Sequence, residues 1–205
     1  MINEVASPID LRCLDDAREW ESTAMSKRPW RVEFFQAFEQ ILTSISVENP
    51  IRLLELGAGP GFLAEHLLKN VTFKEYVALD FSPAMHQLAA KRLGVLSERV
   101  SFITRSFKDA QWADDLGTFH VVVTLQAVHE LRHKSYATGL HAQVRKCLVA
   151  GGSYLVCDHF SGPQGMHNNE LYMSIEEQKQ ALEAAGFNPV KQVLVKGTLV
   201  LHHAI

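Results

Sequence analysis

The chain has 205 residues, of which 47% are hydrophobic and 21% are charged, and its formal net charge is −3. This composition is typical of one globular domain of ordinary size. Because lysine and arginine are scattered and outnumbered by acidic residues, the sequence has no broad positive field, and we expect no nucleic-acid substrate.

The N-terminal stretch from Met1 to Asp16 is acidic and lacks a basic segment followed by an apolar run, so we expect no secretion signal. No apolar run approaches the roughly 18 residues that a membrane span requires. The cysteines Cys13, Cys147 and Cys157 show no Cys-x-x-Cys spacing, which favours reduced thiols over a disulfide framework or a zinc site. These features predict a cytoplasmic protein without a membrane partner.

Regular elements can be predicted from the spacing of apolar residues. The first is an amphipathic helix over Trp30-Thr43. From Ile51 onward, short apolar runs alternate with longer amphipathic segments, which is typical of βαβ units around a buried parallel sheet. The predicted strands are Ile51-Leu56, Glu75-Leu79, Val100-Thr104, His120-Leu125 and Ser153-Asp158. The predicted helices between them are Phe62-Lys69, Ala84-Leu93 and Tyr136-Leu148.

Residues at the element boundaries agree with this pattern. Ser82 is expected to cap the helix that begins near Pro83, because a serine side chain can accept a bond from a first-turn amide and proline fits that turn. Gly94 and Gly151 are expected to end the helices that precede them.

A further helix is predicted near the C-terminus, over Ile175-Ala185. Ser174 and Glu177 have the spacing of a capping box at its start, and Gly186 is expected to end it.

The chain then continues with two apolar runs, Pro189-Val195 and Thr198-His203, which are predicted strands joined by a two-residue turn at Lys196-Gly197 and therefore antiparallel. The predicted fold class is accordingly α/β: a doubly wound, Rossmann-like, mostly parallel sheet of seven strands with an antiparallel C-terminal hairpin and helices on both faces.

A glycine-rich loop, Gly57-Ala58-Gly59-Pro60-Gly61, follows the first predicted strand and leads into a helix. Backbone amides and a helix N-terminus in this position form a cofactor cradle, and glycine allows a ligand to approach the backbone closely. Asp80, which ends the next strand, can accept hydrogen bonds from two ribose hydroxyls. A nicotinamide dinucleotide would also fit, but Glu55 beside the loop suits the ammonium group of a methionine moiety better than a pyrophosphate.

With these residues the sequence resembles the class I S-adenosylmethionine-dependent methyltransferases, whose first motif has the form acid-x-Gly-x-Gly-x-Gly. The matching residues are Glu55, Gly57, Gly59 and Gly61. The resemblance implies S-adenosylmethionine as cofactor and S-adenosylhomocysteine as product. It also implies that Asp80 binds the ribose and that Phe81 lies against the adenine.

Two positions depart from the family pattern. The family often has an acid after the third strand, where this chain has Thr104-Arg105-Ser106-Phe107, so that Ser106 would supply a hydroxyl or Phe107 a backbone amide to the adenine. His120 stands where the fourth strand often starts with Asp. The cofactor-binding set that the resemblance implies is Glu55, Gly57, Ala58, Gly59, Gly61, Asp80, Phe81, Met85, Ser106, Phe107 and Gln126.

The segment His129-Glu130-Leu131-Arg132-His133 matches the zinc motif His-Glu-x-x-His, which needs a helix to bring its two histidines together. Here the motif follows directly after a buried strand, and Arg132 places a cation beside the supposed metal. We therefore expect no metal. His202 and His203 are adjacent on a strand and point to opposite faces, so they cannot chelate one metal together.

In the methyltransferase interpretation this segment is instead a loop at the strand edge where ligands bind in open sheets. An imidazole of near-neutral pKa at His129 could then take a proton from a hydroxyl or amine of the methyl acceptor. The alternative is that His129 only packs the loop. His159, after Asp158 at the end of the fifth strand, is a second candidate base.

Two segments are expected to contact the acceptor. We predict one domain over 1–205, in which residues 1–50 form a helical lid or extension and residues 51–205 form the cofactor-binding core. In the lid, Trp30 could exclude water and Arg31, like Arg28, could pair with a carboxylate of cofactor or substrate, although the aromatic residues could simply be core. The loop from Phe160 to Tyr172 is polar, with His167, Asn168 and Asn169, and suggests an acceptor that forms hydrogen bonds.

The predicted function is methyl transfer from S-adenosylmethionine to an oxygen or nitrogen of a small-molecule metabolite. Two alternatives stay open at this point: an NAD(P)-dependent oxidoreductase of Rossmann type, and a non-catalytic S-adenosylmethionine-binding protein. The sequence leaves the acceptor and the oligomeric state open.

Overall fold

The computed structural model describes residues 3–46 and 49–205. Its strands are β1 Ile51–Leu56, β2 Phe73–Asp80, β3 Val100–Thr104, β4 Phe119–Leu125, β5 Leu148–His159, β6 Val190–Lys196 and β7 Leu199–Ala204. They form a seven-stranded sheet in the order β3-β2-β1-β4-β5-β7-β6. The described α-helices are α1 Leu14–Lys27, α2 Arg31–Ile45, α3 Phe62–Asn70, α4 Pro83–Leu93, α5 Ala137–Lys146 and α6 Ile175–Ala184.

This architecture confirms the predicted fold class, a mostly parallel α/β sheet that ends in an antiparallel hairpin. Contacts within the chain divide it into two compact units. One unit is Pro8–Ser106; the other combines Met1–Ser7 with Phe107–Ile205. The prediction of a single domain stays a prediction, and residues 1–2 and 47–48 of the predicted N-terminal lid lie outside the described residues.

The unit Pro8–Ser106 holds three parallel strands, because β1 pairs with β2 and β2 with β3. The apolar residues of β1 and most of those of β2 are buried, as expected for a sheet covered by helices, whereas those of the edge strand β3 are only partly buried. Ser82 caps α4 as predicted: its Oγ accepts a hydrogen bond from the Met85 amide at 3.1 Å. β1, β3 and the start of α4 therefore lie where the sequence predicts them, whereas β2 begins at Phe73, two residues before the predicted start.

Helix α1 was not among the predicted helices. Its buried residues are the small side chains Ala17 and Ala24, so the sequence has no strong apolar stripe to indicate a helix. Ala17 packs against Met85 and Leu88 of α4, and Trp20 covers the edge of this cluster. The N-terminal helix is therefore part of the hydrophobic core of its own unit.

The second unit contains the rest of the sheet. Strands β4 and β5 are parallel, and β7 runs antiparallel to both β5 and β6. The capping box predicted for α6 is present, since Ser174 Oγ accepts from the Glu177 amide and the Glu177 side chain accepts from the Ser174 amide. No helix among the described residues has the length and apolarity needed to cross a membrane.

Two boundary predictions in this unit were wrong. Gly151 does not end a helix, because α5 ends at Lys146 and Gly151 lies inside β5, where the pairing with β4 is irregular between Phe119 and Val121. The hairpin turn lies at Gly197 and Thr198 rather than at Lys196 and Gly197, since Gly197 takes the positive φ of 57° that the turn requires.

Candidate active site

The glycine-rich loop in the unit Pro8–Ser106 has the backbone that its sequence predicts. Gly57, Gly59 and Gly61 have φ values of 66°, 55° and 79°, in the left-handed region that glycine adopts without strain. The amides of Gly57 and Ala58 both donate to the carbonyl of Leu79, at 2.8 and 3.1 Å. The loop is thereby tied to the end of β2 immediately before the predicted ribose acid.

That acid, Asp80, accepts hydrogen bonds from the glycine loop and from the residue that caps α4. Its Oδ2 accepts from the Gly59 amide at 2.8 Å and its Oδ1 accepts from the Ser82 amide at 2.9 Å. With 5% of its surface exposed, the carboxylate links the glycine loop to the start of α4. Charge-assisted bonds of this kind hold a binding loop in shape before any ligand arrives.

The glycines of the loop differ in the space that a Cβ atom would have. At Gly59 such an atom would meet nothing within 4 Å, so the backbone faces open space there. At Gly61 it would lie 3.1 Å from the Cβ of Ala89, so this glycine instead permits α3 to approach α4 closely. Open space at Gly59, beside an acid and backbone amides, leaves room for the nucleoside part of S-adenosylmethionine.

Glu55 lies at the end of β1, and only 2% of its surface is exposed. The Tyr76 hydroxyl donates to its Oε2 at 2.6 Å. Burial raises the pKa of Glu55 to about 8, the bond from Tyr76 lowers it, and the nearby Asp80 carboxylate raises it further. A carboxyl group in this state gains from a cationic ligand, which agrees with the role predicted for Glu55.

Three other predicted cofactor residues of this unit have partners within the protein. Met85 is 2% exposed and packs in the core with α1. The guanidinium of Arg12 stacks on the Phe81 ring, 4.8 Å from its centroid. Ser106 is the last residue of the unit and is partly buried. Their cofactor contacts stay predictions.

The two residues predicted to contact the acceptor lie at the start of α2. Arg31 is 3% exposed, and its guanidinium lies over the Trp20 ring, 5.3 Å from the centroid. Trp30 immediately precedes the helix and is partly buried. The structure thus places Arg31 in a cation–π contact with α1, and the predicted role in substrate binding stays untested.

In the second unit, His129 and Asp158 form a carboxylate–imidazole dyad. His129 Nδ1 donates to Asp158 Oδ1 at 2.7 Å, and the His129 main-chain amide donates to Asp158 Oδ2 at 2.8 Å. The His159 amide adds a third bond to this carboxylate at 2.7 Å. Because Asp158 holds both the backbone and the ring of His129, it fixes the proton on Nδ1 and leaves Nε2 as the nitrogen for chemistry.

The pKa of His129 differs from the near-neutral value that the sequence analysis expects. Desolvation lowers its pKa, but the carboxylates of Asp158 and Glu130 outweigh that effect and raise it to about 10. The pKa of Asp158 is lowered: burial opposes this, and the charge and hydrogen bond of His129 cause it. In this state the pair is a buried imidazolium and carboxylate at neutral pH.

His159, the second candidate base, has both ring nitrogens engaged. Its Nε2 accepts from the Gln126 amide group at 2.8 Å, and its Nδ1 donates to the Thr198 hydroxyl at 2.8 Å. Gln126 itself has a positive φ of 57°, an uncommon conformation for a residue other than glycine and one that often occurs at functional sites. The structure therefore brings His129, His159 and Gln126 together.

The loop after β5 covers this group. The Tyr172 ring lies 5.5 Å from the His129 ring and 5.7 Å from the His159 ring, centroid to centroid. These three rings line a cavity of about 10 Å³, which has room for one water molecule. The predicted site residue Phe107 is in the same unit and is buried.

The His-Glu-x-x-His segment does not have the geometry of a zinc motif. Val128–Leu131 is a single 3₁₀ turn, and Arg132 takes a left-handed φ of 68°, which breaks the α-helical spacing between His129 and His133. His133 instead bonds to Ser135. Within residues 3–46 and 49–205 no group of three or more His, Cys, Asp or Glu side chains could hold a metal ion.

Comparisons with known proteins concern the family and the fold. Residues 54–154 match the family model of a methyltransferase domain. The non-reducing polyketide synthase prhL of Penicillium brasilianum is 28% identical over 105 residues, which are 49% of this chain and 4% of that protein. The chain spans only 4 to 6% of the length of the curated relatives it matches.

Solved structures show the same fold. The DhpI–SAH complex superposes with a TM-score of 0.71 at 18% identity and covers 94% of each chain. The CurJ carbon methyltransferase superposes with a TM-score of 0.69 at 15% identity, over 83% of this chain and 53% of its own. At such identities the likeness concerns the fold alone.

The family match, the fold and the glycine loop with its two acids together identify the class. Residues 54–154 are similar to a methyltransferase domain, and the fold is that of the class I S-adenosylmethionine-dependent methyltransferases, whose cofactor is S-adenosylmethionine. These findings favour methyl transfer over the oxidoreductase alternative.

Three residues of the site were not predicted as functional: Asp158, Tyr76 and Glu130. Asp158 was noted only as the neighbour of His159, although an acid at the carboxyl end of a buried strand is itself a signal for a functional site. Tyr76 lies in the middle of β2 and gives no such signal in the sequence. Glu130 was considered only as part of a zinc motif.

Proposed function

We propose that the chain transfers the methyl group of S-adenosylmethionine to an oxygen or nitrogen of a small-molecule acceptor and that His129 is the general base. The observation that carries this proposal is the dyad, in which Asp158 bonds to both the ring and the main chain of His129. A histidine held in this way has one defined nitrogen available for proton transfer.

The residues of the unit Pro8–Ser106 would hold the cofactor. Gly57 and Gly59 would lie against its nucleoside, Asp80 would accept from the ribose hydroxyls, and Glu55 would attract the ammonium group. Bound there, S-adenosylmethionine supplies a methyl group activated by a positively charged sulfur.

His129 then has one task. When the acceptor oxygen or nitrogen takes the methyl group, which S-adenosylmethionine would supply as its carbon–sulfur bond breaks to leave S-adenosylhomocysteine, the acceptor must lose its own proton. The acceptor proton passes to His129 Nε2, and Asp158 stabilises the imidazolium that results. His159, whose ring nitrogens bond to Gln126 and Thr198, would position the dyad rather than accept the proton.

A base with a pKa of about 10 is mostly protonated at neutral pH and strong once it is neutral. We therefore expect methyl transfer to accelerate as pH rises from 7 toward 10. The pH profile of kcat/KM with one acceptor reports this directly, and a flat profile would contradict the role of His129.

The proposal is tested by incubating the purified chain with S-adenosylmethionine and a panel of phenols, carboxylic acids and amines, with S-adenosylhomocysteine measured by mass spectrometry. His129→Ala should lower turnover on any active acceptor at least a hundredfold while leaving cofactor affinity within a few-fold, a size typical of general bases. His133→Ala, in the same segment, is the matched control. Cofactor binding without turnover on any acceptor would favour the non-catalytic alternative.

A second candidate acceptor is the acidic carbon between two carbonyl groups. The curated relatives are polyketide synthases, and one structural neighbour is a carbon methyltransferase. Such a carbon must lose a proton before it attacks, and a strong base beside a carboxylate suits that step. A β-ketoacyl thioester included in the panel tests this candidate, because NMR of the product separates a methyl group on carbon from one on oxygen.

A further inference from the structure

The imidazole of His129 lies between two carboxylates. Asp158 bonds to Nδ1 at 2.7 Å, and Glu130 Oε1 lies 3.4 Å from Nε2, the nitrogen that proton transfer would use. The Asp158 contact is a short hydrogen bond, whereas the Glu130 contact is a longer ion pair with its carboxylate 26% exposed. Of the two carboxylates, Glu130 therefore lies farther from the imidazole ring and is the more exposed to solvent.

Glu130 is itself held by Arg132. Arg132 Nη1 lies 3.4 Å from Glu130 Oε2, so the carboxylate bridges the imidazole and the guanidinium. Arg132 is 8% exposed, and its left-handed φ of 68° turns the chain back immediately after this segment. A buried guanidinium in an uncommon backbone conformation needs strong fixed partners.

Those partners come from the N-terminal residues of the chain. Arg132 Nε donates to the Val5 carbonyl at 2.9 Å, and Nη2 donates to the Ala6 carbonyl at 2.7 Å. The Val5 amide in turn donates to the Arg132 carbonyl at 2.8 Å. Glu4 adds an ion pair with Lys108 at 2.6 Å. The guanidinium is thus fixed by carbonyls that lie far from it in sequence.

We propose that Glu130 is a positioning residue for His129, and that Arg132, fixed by the carbonyls of Val5 and Ala6, determines where Glu130 lies. Glu130 favours a proton on His129 Nε2 and so makes the imidazole a stronger proton acceptor. The proposal builds on the role of His129 as general base given above, but its test is a measurement on His129 that needs no substrate.

Other polar groups also face His129 and define what the test must separate. The Asp158 carboxylate and the His159 ring are on β5, Tyr172 is on the loop after it, and Lys134 and His133 line the same cavity. The raised pKa of His129 agrees with the position of the ring between Asp158 and Glu130, because the effect of these two carboxylates on the pKa outweighs that of desolvation. Glu130 contacts Nε2, the ring nitrogen that does not bond to Asp158.

The experiment is an NMR titration of the His129 ring in the full chain, with the signal assigned by comparison with His129→Gln. Glu130→Gln should shift the midpoint of the His129 titration to lower pH. Arg132→Lys should shift it in the same direction by a smaller amount, because lysine keeps the positive charge but lacks the several planar N–H donors of the guanidinium. Glu170→Gln removes an exposed carboxylate of the same unit and should leave the midpoint in place. An unchanged midpoint in Glu130→Gln would overturn the proposal.

A kinetic readout separates positioning from a structural role. With an active acceptor, Glu130→Gln should move the inflection of kcat/KM to lower pH and reduce its plateau, since the neutral imidazole becomes more abundant but weaker as a base. A lower plateau at an unmoved inflection would mean that Glu130 only supports the loop, which contradicts the proposal. Because Arg132 is buried, Arg132→Lys is checked for folding by circular dichroism, whereas Glu130→Gln, at a more exposed position, tests the main step independently.

Discussion

The hydroxyl of Tyr76 lies 2.6 Å from Oε2 of Glu55, and both side chains are at most 2% exposed. The contact joins the middle of β2 to Glu55, which lies one residue before the end of β1 and close to the glycine loop in sequence. Desolvation and the charge of Asp80 raise the pKa of Glu55, and the bond from Tyr76 opposes them, with a net value of about 8. Without cofactor, Glu55 is therefore mostly protonated at neutral pH.

This protonation predicts that cofactor affinity depends on pH. Because the ammonium group of S-adenosylmethionine interacts with the ionised carboxylate, affinity should rise with pH below about 7.5, by up to roughly tenfold per unit, before the ammonium itself loses its proton. Calorimetric titrations between pH 5.5 and 7.5 measure the effect. 5′-Methylthioadenosine, which lacks the ammonium, is the control ligand and should show no such rise.

Two variants sharpen that measurement. Glu55→Gln should bind more weakly and remove the pH dependence. Tyr76→Phe removes the bond that lowers the pKa of Glu55, so the rise in affinity should move to higher pH. An unchanged pH dependence in Glu55→Gln would assign the titrating group elsewhere.

The contact between Tyr76 and Glu55 could not be predicted from the sequence, although the presence of the two strands that carry it could. The strands β1 and β3 were predicted at their observed bounds, because short runs rich in apolar residues are flanked by turn residues. The register that places Tyr76 opposite Leu53, within reach of Glu55, follows from the pairing of two strands and has no counterpart in local spacing.

The same reason applies to the second unit. His129 was predicted as a candidate base from its position after a buried strand, but its partner Asp158 lies on a different strand and was not identified. Its raised pKa depends on two carboxylates whose distances only the folded chain defines. The residue types at the strand ends could thus be predicted, whereas their hydrogen bonds and charge states could not.

Gly59 and Gly94 form a matched pair for testing the cofactor cradle. Both have a φ of 55°, and a Cβ built on either meets nothing within 4 Å. Alanine at either position should therefore lower the free energy of unfolding, by at least about 1 to 2 kcal/mol, because a residue with a side chain rarely adopts a positive φ. Only Gly59→Ala should also weaken S-adenosylmethionine binding, by at least tenfold, since its methyl group would stand where the nucleoside is expected.

Denaturant titration and calorimetry of the two variants give both quantities. Equal cofactor affinity in Gly59→Ala and Gly94→Ala would remove Gly59 from the binding surface. Gly61→Ala offers a third comparison: its added carbon would press on Ala89, so it should cost more stability than the other two.

Asp80 is expected to serve both stability and binding. Its two oxygens accept from the amides of Gly59 and Ser82, and an asparagine can replace only one of these acceptors. Asp80→Asn should lower the free energy of unfolding by about 1 to 3 kcal/mol and weaken cofactor binding. Asp109→Asn, at an exposed position, is the control for lost charge. Full stability in Asp80→Asn would mean that the loop keeps its shape without this carboxylate.

The dyad of His129 and Asp158 predicts how stability changes with pH. The pKa of His129 in the folded chain, about 10, lies above its ordinary value of 6.5, so the folded state binds the proton more tightly than the unfolded state. The stabilisation is fully present below pH 6.5 and is lost as pH rises through 10. Because the side chains of the pair are 15% and 5% exposed, it is expected to contribute up to about 3 kcal/mol.

Urea unfolding of the chain and of His129→Gln at intervals between pH 6 and 10 measures this contribution. The difference in unfolding free energy between them should be largest at pH 6 and shrink toward pH 10, and His133→Gln, in the same segment, is the control for the loss of an imidazole. A difference for His129→Gln that does not change with pH would mean that His129 is neutral in the folded chain. In that case the dyad would be a neutral hydrogen bond, and methyl transfer would need no rise in pH to release the base.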